Sequence, residues 1–294
     1  MNCSKTNSLP VLSLLLRSTR AVYLLAIVFA SGASAQCQSS VPVDVNALVR
    51  RAVEHRLDAE RSHRPVRYVL HKNDEHHDTT KAIIETASGD VARLVALDGK
   101  QLASDSEADR AELERLDALV AHPEQQERRH RSEQKDAERI NHILALLPDA
   151  FIYRFEAMDS CAAGPCIRLS FTPNPRFTPP DIESDLLRGV AGEAWIDQAQ
   201  ERFARIDAHL IAEVNFGFGV IGKINRGGTI RIEQANIEGN HWELTHLNLH
   251  ITGKILMLKS LRLDLDEEAS RYAPVPAALN YRDAIQMLKK SPLN

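Results

Sequence analysis

Twelve histidines are the residues of this chain best suited to chemistry. Neutral imidazole is the commonest metal ligand and titrates near neutrality. Two groups stand out by spacing. His71, Asp74, Glu75, His76, His77 and Asp78 crowd one turn between strand-like runs, and His246, Asn248 and His250 alternate along a later run. Alternate residues share one face of a strand, and two histidines so placed chelate if a neighbouring strand supplies a third ligand. Neither group comes with an HExxH motif or clustered cysteines. They read first as a polar turn and a polar sheet face, so no metal is expected, and a histidine-site metalloprotein is the third-ranked reading.

Gly217-Phe-Gly-Val-Ile-Gly222 matches GxGxxG. That fingerprint works only where the glycines open a helix whose N-terminus holds a pyrophosphate. Here Lys223 to Ile237 continues with strand and turn signals. The glycines therefore read as a strand bend, and no cofactor is expected. There is no Gly-x-Ser-x-Gly and no recognisable Ser–His or Cys–His pair. The chain is read as non-enzymatic.

The elements that would position such residues follow from periodicity. Asp44 caps a helix to about His63, with Val45, Leu48, Val49, Ala52, Val53 and Leu57 on one stripe. Pro65 ends it. Val66–Leu70, Thr79–Ala87 and Asp90–Leu97 read as an antiparallel meander. A charged helical insertion spans 104–147. Ser104 to Glu107 reads as its capping box, and Glu124–Arg139 is almost devoid of apolar residues, a solvated face. Phe151–Ala157 and Ile167–Phe171 are strands, Asp181–Leu187 a short helix, and Tyr281–Lys289 a last helix.

The segment Ala204 to Val220 is the most telling. Every even position is apolar: Ala204, Ile206, Ala208, Leu210, Ala212, Val214, Phe216, Phe218 and Val220. The odd positions include Arg205, Asp207, His209, Glu213 and Asn215. Such alternation predicts one long strand with a buried and a wet face. Thr229–Ile237, Trp242–Thr252 and Lys254–Asp266 follow as further long strands.

The N-terminus has the parts of a cleavable export signal. Lys5, Arg17 and Arg20 precede the apolar run Ala21–Ala30, and Ala33-Ser34-Ala35 offers a cleavage site. Ten apolar residues are about half what a membrane span needs. Residues 1–35 are thus expected to leave as a signal peptide, with 36–43 a flexible lead-in and 44–294 a single domain. The leader takes three positive charges from a chain of formal charge −4, leaving −7. That balance argues against a nucleic-acid partner. Gln36 spoils a lipid-attachment signal at Cys37. Cys161 and Cys166 bracket a short loop, and a disulfide between them suits an oxidising compartment. The mature chain is expected in the periplasm or secreted, where peripheral membrane contact is open to it.

The order of elements is a helix, a meander ending in Leu94-Val-Ala-Leu-Asp-Gly-Lys100, a helical insertion, then long alternating strands. With Gly192-Glu-Ala-Trp-Ile-Asp197, Phe203-Ala-Arg-Ile-Asp207 and Gly227-Gly228, it resembles the periplasmic lipoprotein-carrier and outer-membrane lipoprotein-sorting superfamily. The resemblance implies an α+β fold: an incomplete antiparallel β-barrel, a highly curved sheet, with helices covering its open side. It also implies an apolar cavity for acyl chains. The leading expectation is an envelope protein that binds or relays a lipid or an acylated protein, its cavity lined by Ile206, Leu210, Val214, Phe216 and Phe218. The alternative is a structural or partner-binding module with a packed barrel.

Overall fold

A computed structural model describes residues 44–216, 222–238, 241–255 and 259–290, which belong to one compact unit. The expected leader, the lead-in with Cys37, and Phe218 lie outside the described residues.

Helix α1 (Val45–Arg61) begins at Asp44, whose carboxylate accepts from the Ala47 N–H at 3.1 Å. Such a cap stabilises a helix by about 1 kcal/mol. Leu48, Val49, Ala52 and Val53 are the buried stripe. Each contributes roughly 1.5–3 kcal/mol if fully withdrawn from water, the alanine less.

Strands β1 (Val66–Asp74), β2 (Asp78–Ile84), β3 (Val91–Leu97) and the two-residue β4 (Lys100–Gln101) form the meander. Helices α2 (Glu107–Ala121) and α3 (Pro123–Ala150) follow. The cap of α2 is Ser106, accepting from the Asp109 N–H, rather than Ser104. Pro123 opens α3 because proline has no N–H to leave unpaired in a first turn. Pro148 falls within the last turn of α3.

The later strands are β5 (Phe151–Cys161), β6 (Gly164–Pro173), β7 (Val190–Asp197), β8 (Phe203–Leu210), β9 (Val214–Phe216), β10 (Gly222–Ile224), β11 (Thr229–Glu238), β12 (His241–Ile255) and β13 (Lys259–Pro274). Helix α4 (Tyr281–Lys290) follows. All thirteen strands join one antiparallel sheet ordered β4-β3-β2-β1-β13-β12-β11-β8-β7-β6-β5, with β10 pairing β12 and β9. Edges β4 and β5 do not pair, so the barrel is incomplete, as expected.

Two departures from sequence periodicity matter. The alternating segment is two strands: β8 stops at Leu210, the Ile211 N–H turns to the Gly189 carbonyl at 2.8 Å, and β9 starts at Val214. A register shift at Trp195/Ile196 against Phe203 and Arg205 sends Ala204 to the side of Cys166, Trp195 and Trp242, away from Ala208 and Leu210. Gly253, between the strands expected as Trp242–Thr252 and Lys254–Asp266, lies inside β12, which runs on to Ile255. A Cβ there would come within 2.2 Å of the Lys223 carbonyl oxygen, so only glycine lets β10 cross.

Two helical covers hold the sheet. α1 and the end of α3 pack Leu48, Val49, Ala52 and Val53, with Leu146 and Leu147, over Ile167, Leu169, Phe171, Ala194 and Ile196 of β6 and β7. α2 and α4 pack Leu116, Leu119, Ile285 and Leu288 over Ala82, Ile84 and Val91. The charged insertion is thus half core. Even its polar stretch carries a fully enclosed side chain: Gln126, 2 % exposed, donates to the Ser88 and Asp90 carbonyls at 3.1 and 3.3 Å and clamps the β2–β3 turn.

Candidate functional site

Directly opposed residues of an antiparallel ladder point to one face of the sheet. From the core the apolar face therefore runs on across the middle strands. Ile206 of β8 opposes Ile232 of β11, which opposes Leu247 of β12. The next row is Ala208, Ile230, Leu249 and then Leu265 of β13. Ile251 opposes Leu263, and Gly253 opposes Leu261. The helix-covered core reaches only as far as β8 and Ile230 at the start of β11: Ile206 and Ile230 pack against it, whereas Ile232, Leu247, Leu249, Ile251, Leu261 and Leu265 are partly exposed and Leu263 is 40 % exposed. β11–β13 thus present an apolar shelf continuous with the core. Burying a shelf of this kind is what drives association with an apolar partner.

The residues expected to line a cavity divide around this shelf. Leu210 and Val214 are buried in the core, 1 % and 6 % exposed. They occupy space that glycines leave: a Cβ on Gly228 would lie 2.6 Å from Leu210 Cδ1, and one on Gly189 2.4 Å from Val214 Cγ2. Ile206 stands at the border, partly buried against the core and next in row to Ile232. Phe216 ends β9, opposite Gly222.

The other face of the same strands is polar. There Asp207 accepts from Arg231 at 2.8 Å and also pairs with Arg205. His246 meets Asp266 at 3.2 Å, His250 meets Asp264, and Arg262 bonds Asp264 at 2.7 Å and Glu75 at 3.1 Å. Two hollows of about 590 and 700 Å³ border these strands, one walled by Asp74, His250 and Asp264 together with Leu249 and Leu265, the other by Glu193, Asp207 and Arg231 together with Phe171, Ala208 and Ile230. The charged groups of their walls are paired with one another, Asp207 with Arg231 and Asp264 with His250. The histidine pair on β12 therefore has carboxylate partners of its own. The turn group is likewise spoken for: Asp74 accepts from the His76 and His77 N–H groups at 2.9 and 3.1 Å, which holds its carboxyl below the usual range, and His71 meets Asp78 at 2.7 Å.

A histidine grouping that spacing could not reveal lies where α1 hands over to β1. His63 Nε2 is 2.6 Å from Glu85 Oε2, His63 Nδ1 is 3.8 Å from Glu243 Oε1, and His241 Nε2 is 2.6 Å from Glu243 Oε1. Beneath it Tyr68 and Tyr272 stack at 5.1 Å. Burial, with Glu85 next, pushes the Glu243 carboxyl up. The Glu85 hydrogen bond raises His63 against the opposing effect of burial. Asp90 is pushed up to about 7, first by burial and then by Glu85 and Glu133. Three of these groups come from segments far apart in the chain, which is why no motif announces them.

The sulfurs of Cys161 and Cys166 are 2.02 Å apart across the β5–β6 hairpin, at bonding distance. Gly222 of the GxGxxG segment opens β10, a strand, where a dinucleotide site needs a helix.

No family model matches this chain, and no curated protein does. Among solved structures it is similar to a domain from Vibrio parahaemolyticus described as an outer membrane lipoprotein-sorting protein domain. The identity is 9 %, the match covers 83 % of this chain and 100 % of that one, and the TM-score is 0.25. A likeness at this level carries no argument about function, which rests instead on the shelf.

Proposed function

We propose that this chain is an exported envelope protein that holds a hydrophobic ligand, a lipid or an acylated protein, against the shelf of β11–β13. The observation that carries this reading is the run of Ile232, Leu247, Leu249, Ile251, Leu263 and Leu265 on the core face beyond the helical cover. A monomer that needed only a packed core would place polar residues there, as it does on the opposite face. The shelf is an open surface rather than a closed cavity, so the ligand is received from the side and Ile206 marks the inner limit of the site. The leader and the cysteine pair at bonding distance support export. Among the described residues no helix is long and apolar enough to cross a membrane.

The test is recovery of the exported full chain from the periplasm of an expression host, followed by lipid extraction, mass spectrometry and titration with a fluorescent acyl probe. Co-purified lipid and saturable probe binding are expected. Leu249→Asp and Leu263→Asp should each weaken the probe about tenfold or more, since each removes one leucine-sized apolar contact. No lipid and no probe binding would sink the reading.

A further inference from the structure

We propose that His63, His241 and Glu243 form a binding site for a divalent transition-metal ion of the zinc class, with Glu85 as the group that orients His63. The inference is independent of the shelf, which begins at Leu247, roughly 13–20 Å further along β12 by strand rise.

Three observations carry it. One donor atom from each of His63, His241 and Glu243 lies within 4.8 Å of the others. That is the two-histidine, one-carboxylate set that zinc accepts, with a position left for water. The second observation is the state of the facing atoms. His241 Nε2 and Glu243 Oε1 are shut from water and face each other at 2.6 Å, an ion pair when the imidazole is protonated, with His63 Nδ1 the next group on Glu243. Buried polar atoms need a partner. Where the imidazole is neutral, a cation that both atoms bind after parting to about 3.3 Å supplies it.

The third observation is the arrangement around His63. Glu85 Oε2 already accepts the Val66 N–H at 2.9 Å and meets His63 Nε2 at 2.6 Å. With the proton on Nε2, Nδ1 keeps its lone pair and lies 3.8 Å from Glu243 Oε1. That gap is too long for a hydrogen bond. It is near the separation of about 3.3 Å between two ligands sharing one ion at bond lengths of about 2 Å. Carboxylate, imidazole and metal in line is the usual support of a ligating histidine. The rings of His63 and His241 meet edge to face with centroids 5.4 Å apart, so both nitrogens reach one point without stacking. The buried Arg202 also acts on Glu243, but its Nη1 is committed to the His55 carbonyl at 2.9 Å. Without an ion, the same groups would be an imidazolium held between two carboxylates.

The experiment is a Co²⁺ titration of tag-free full-length protein stripped with a chelator, read by visible ligand-field absorption and by displacement with Zn²⁺. One equivalent is expected to bind. His241→Gln and Glu243→Gln, which keep volume and polarity, should abolish the absorption with far-UV circular dichroism unchanged. Glu85→Gln leaves all three ligands and should weaken binding about tenfold or more. It also reports on the site if a ligand variant fails to fold. The double variant His246→Gln/His250→Gln should bind as the parent does. Absence of a saturable cobalt spectrum, or a spectrum that survives the ligand variants and disappears in the double variant, overturns the proposal.

Discussion

The Arg93 guanidinium bonds the Asp109 carboxylate at 2.7 Å, on side chains only 7 % and 8 % exposed. The same guanidinium donates to the carbonyls of Leu288 and Lys289 at 2.7 and 3.2 Å, where α4 ends. One buried cation on β3 therefore joins α2, the C-terminal end of α4 and the sheet. Its place at a helix C-terminus is favourable because unpaired carbonyls carry partial negative charge there. Nearby Glu112 accepts the Leu94 N–H at 2.7 Å, beside the β2–β3 register shift. Asp109 and Glu112 of α2 thus serve the packing of the insertion against the sheet.

Removing one member of this pair should be far worse than removing both. Asp109→Ala leaves Arg93 buried without its anion and is expected to cost about 3–5 kcal/mol. Arg93→Met combined with Asp109→Leu should recover most of that, since a well-packed apolar pair often matches a buried ion pair. Urea unfolding of the single and double variants measures it. Equal losses in both would show that the pair matters for its charges and not for the uncompensated one left behind.

Much of the architecture was legible because burial leaves a periodic trace. The stripe of α1, the capping Asp44 and the β1–β3 meander all stand in the sequence, since each depends on neighbours a few residues apart. The stretch Glu124–Arg139 reads as a solvated face because it is almost devoid of apolar residues, yet Gln126 within it is buried, as are Asp109 and Glu112 of α2. Their burial depends on partners supplied by β3 and the β2–β3 turn, and no local pattern encodes that. The even positions of Ala204–Val220 carried a correct apolar signal at Ile206, Ala208 and Leu210. Alternation cannot show that β8 stops at Leu210, because the stop is made by a hydrogen bond to Gly189. Nor can it show which part of an apolar face a helix will cover. Leu210 and Leu263 look alike in sequence, yet one is 1 % exposed and the other 40 %. His63 and Glu243 escaped for the same reason: tertiary structure alone brings them together.

The difference between core and shelf is measurable. Leu210→Ala opens a cavity inside the packed cluster and is expected to cost about 2–5 kcal/mol. Leu263→Ala removes a side chain that folding leaves largely in water, and should change stability by less than about 1 kcal/mol. Binding of an acyl probe should move the other way, weakened by Leu263→Ala, while Leu210→Ala acts through stability. Chemical denaturation and probe titration on the two variants separate the roles. A loss of stability in Leu263→Ala as large as in Leu210→Ala would place the shelf within the core.

Asp90 makes stability depend on pH in a direction opposite to that of most carboxylates. Burial comes first, and Glu85 and Glu133 add their repulsion, so that the carboxyl is pushed up to about 7 in the folded chain. The folded state then holds its proton more tightly than the unfolded state, whose carboxyl titrates near the ordinary 3.8. Its protonated form is compatible with the fold, so no cost is felt below about pH 4. As pH rises from there towards 7, the unfolded chain ionises first and folding becomes progressively less favourable. Above the folded value the full penalty remains. Asp90→Asn keeps the shape and removes the proton. It should be near neutral in stability at pH 4 and stabilising by about 1–2 kcal/mol at pH 8, a conservative part of what the shift allows for a partly solvated group. Thermal unfolding of parent and variant at the two pH values reads this directly. A variant that is equally stabilising at both would mean that the Asp90 carboxyl does not titrate between them, and that its neighbours Glu85 and Glu133 do not press upon it.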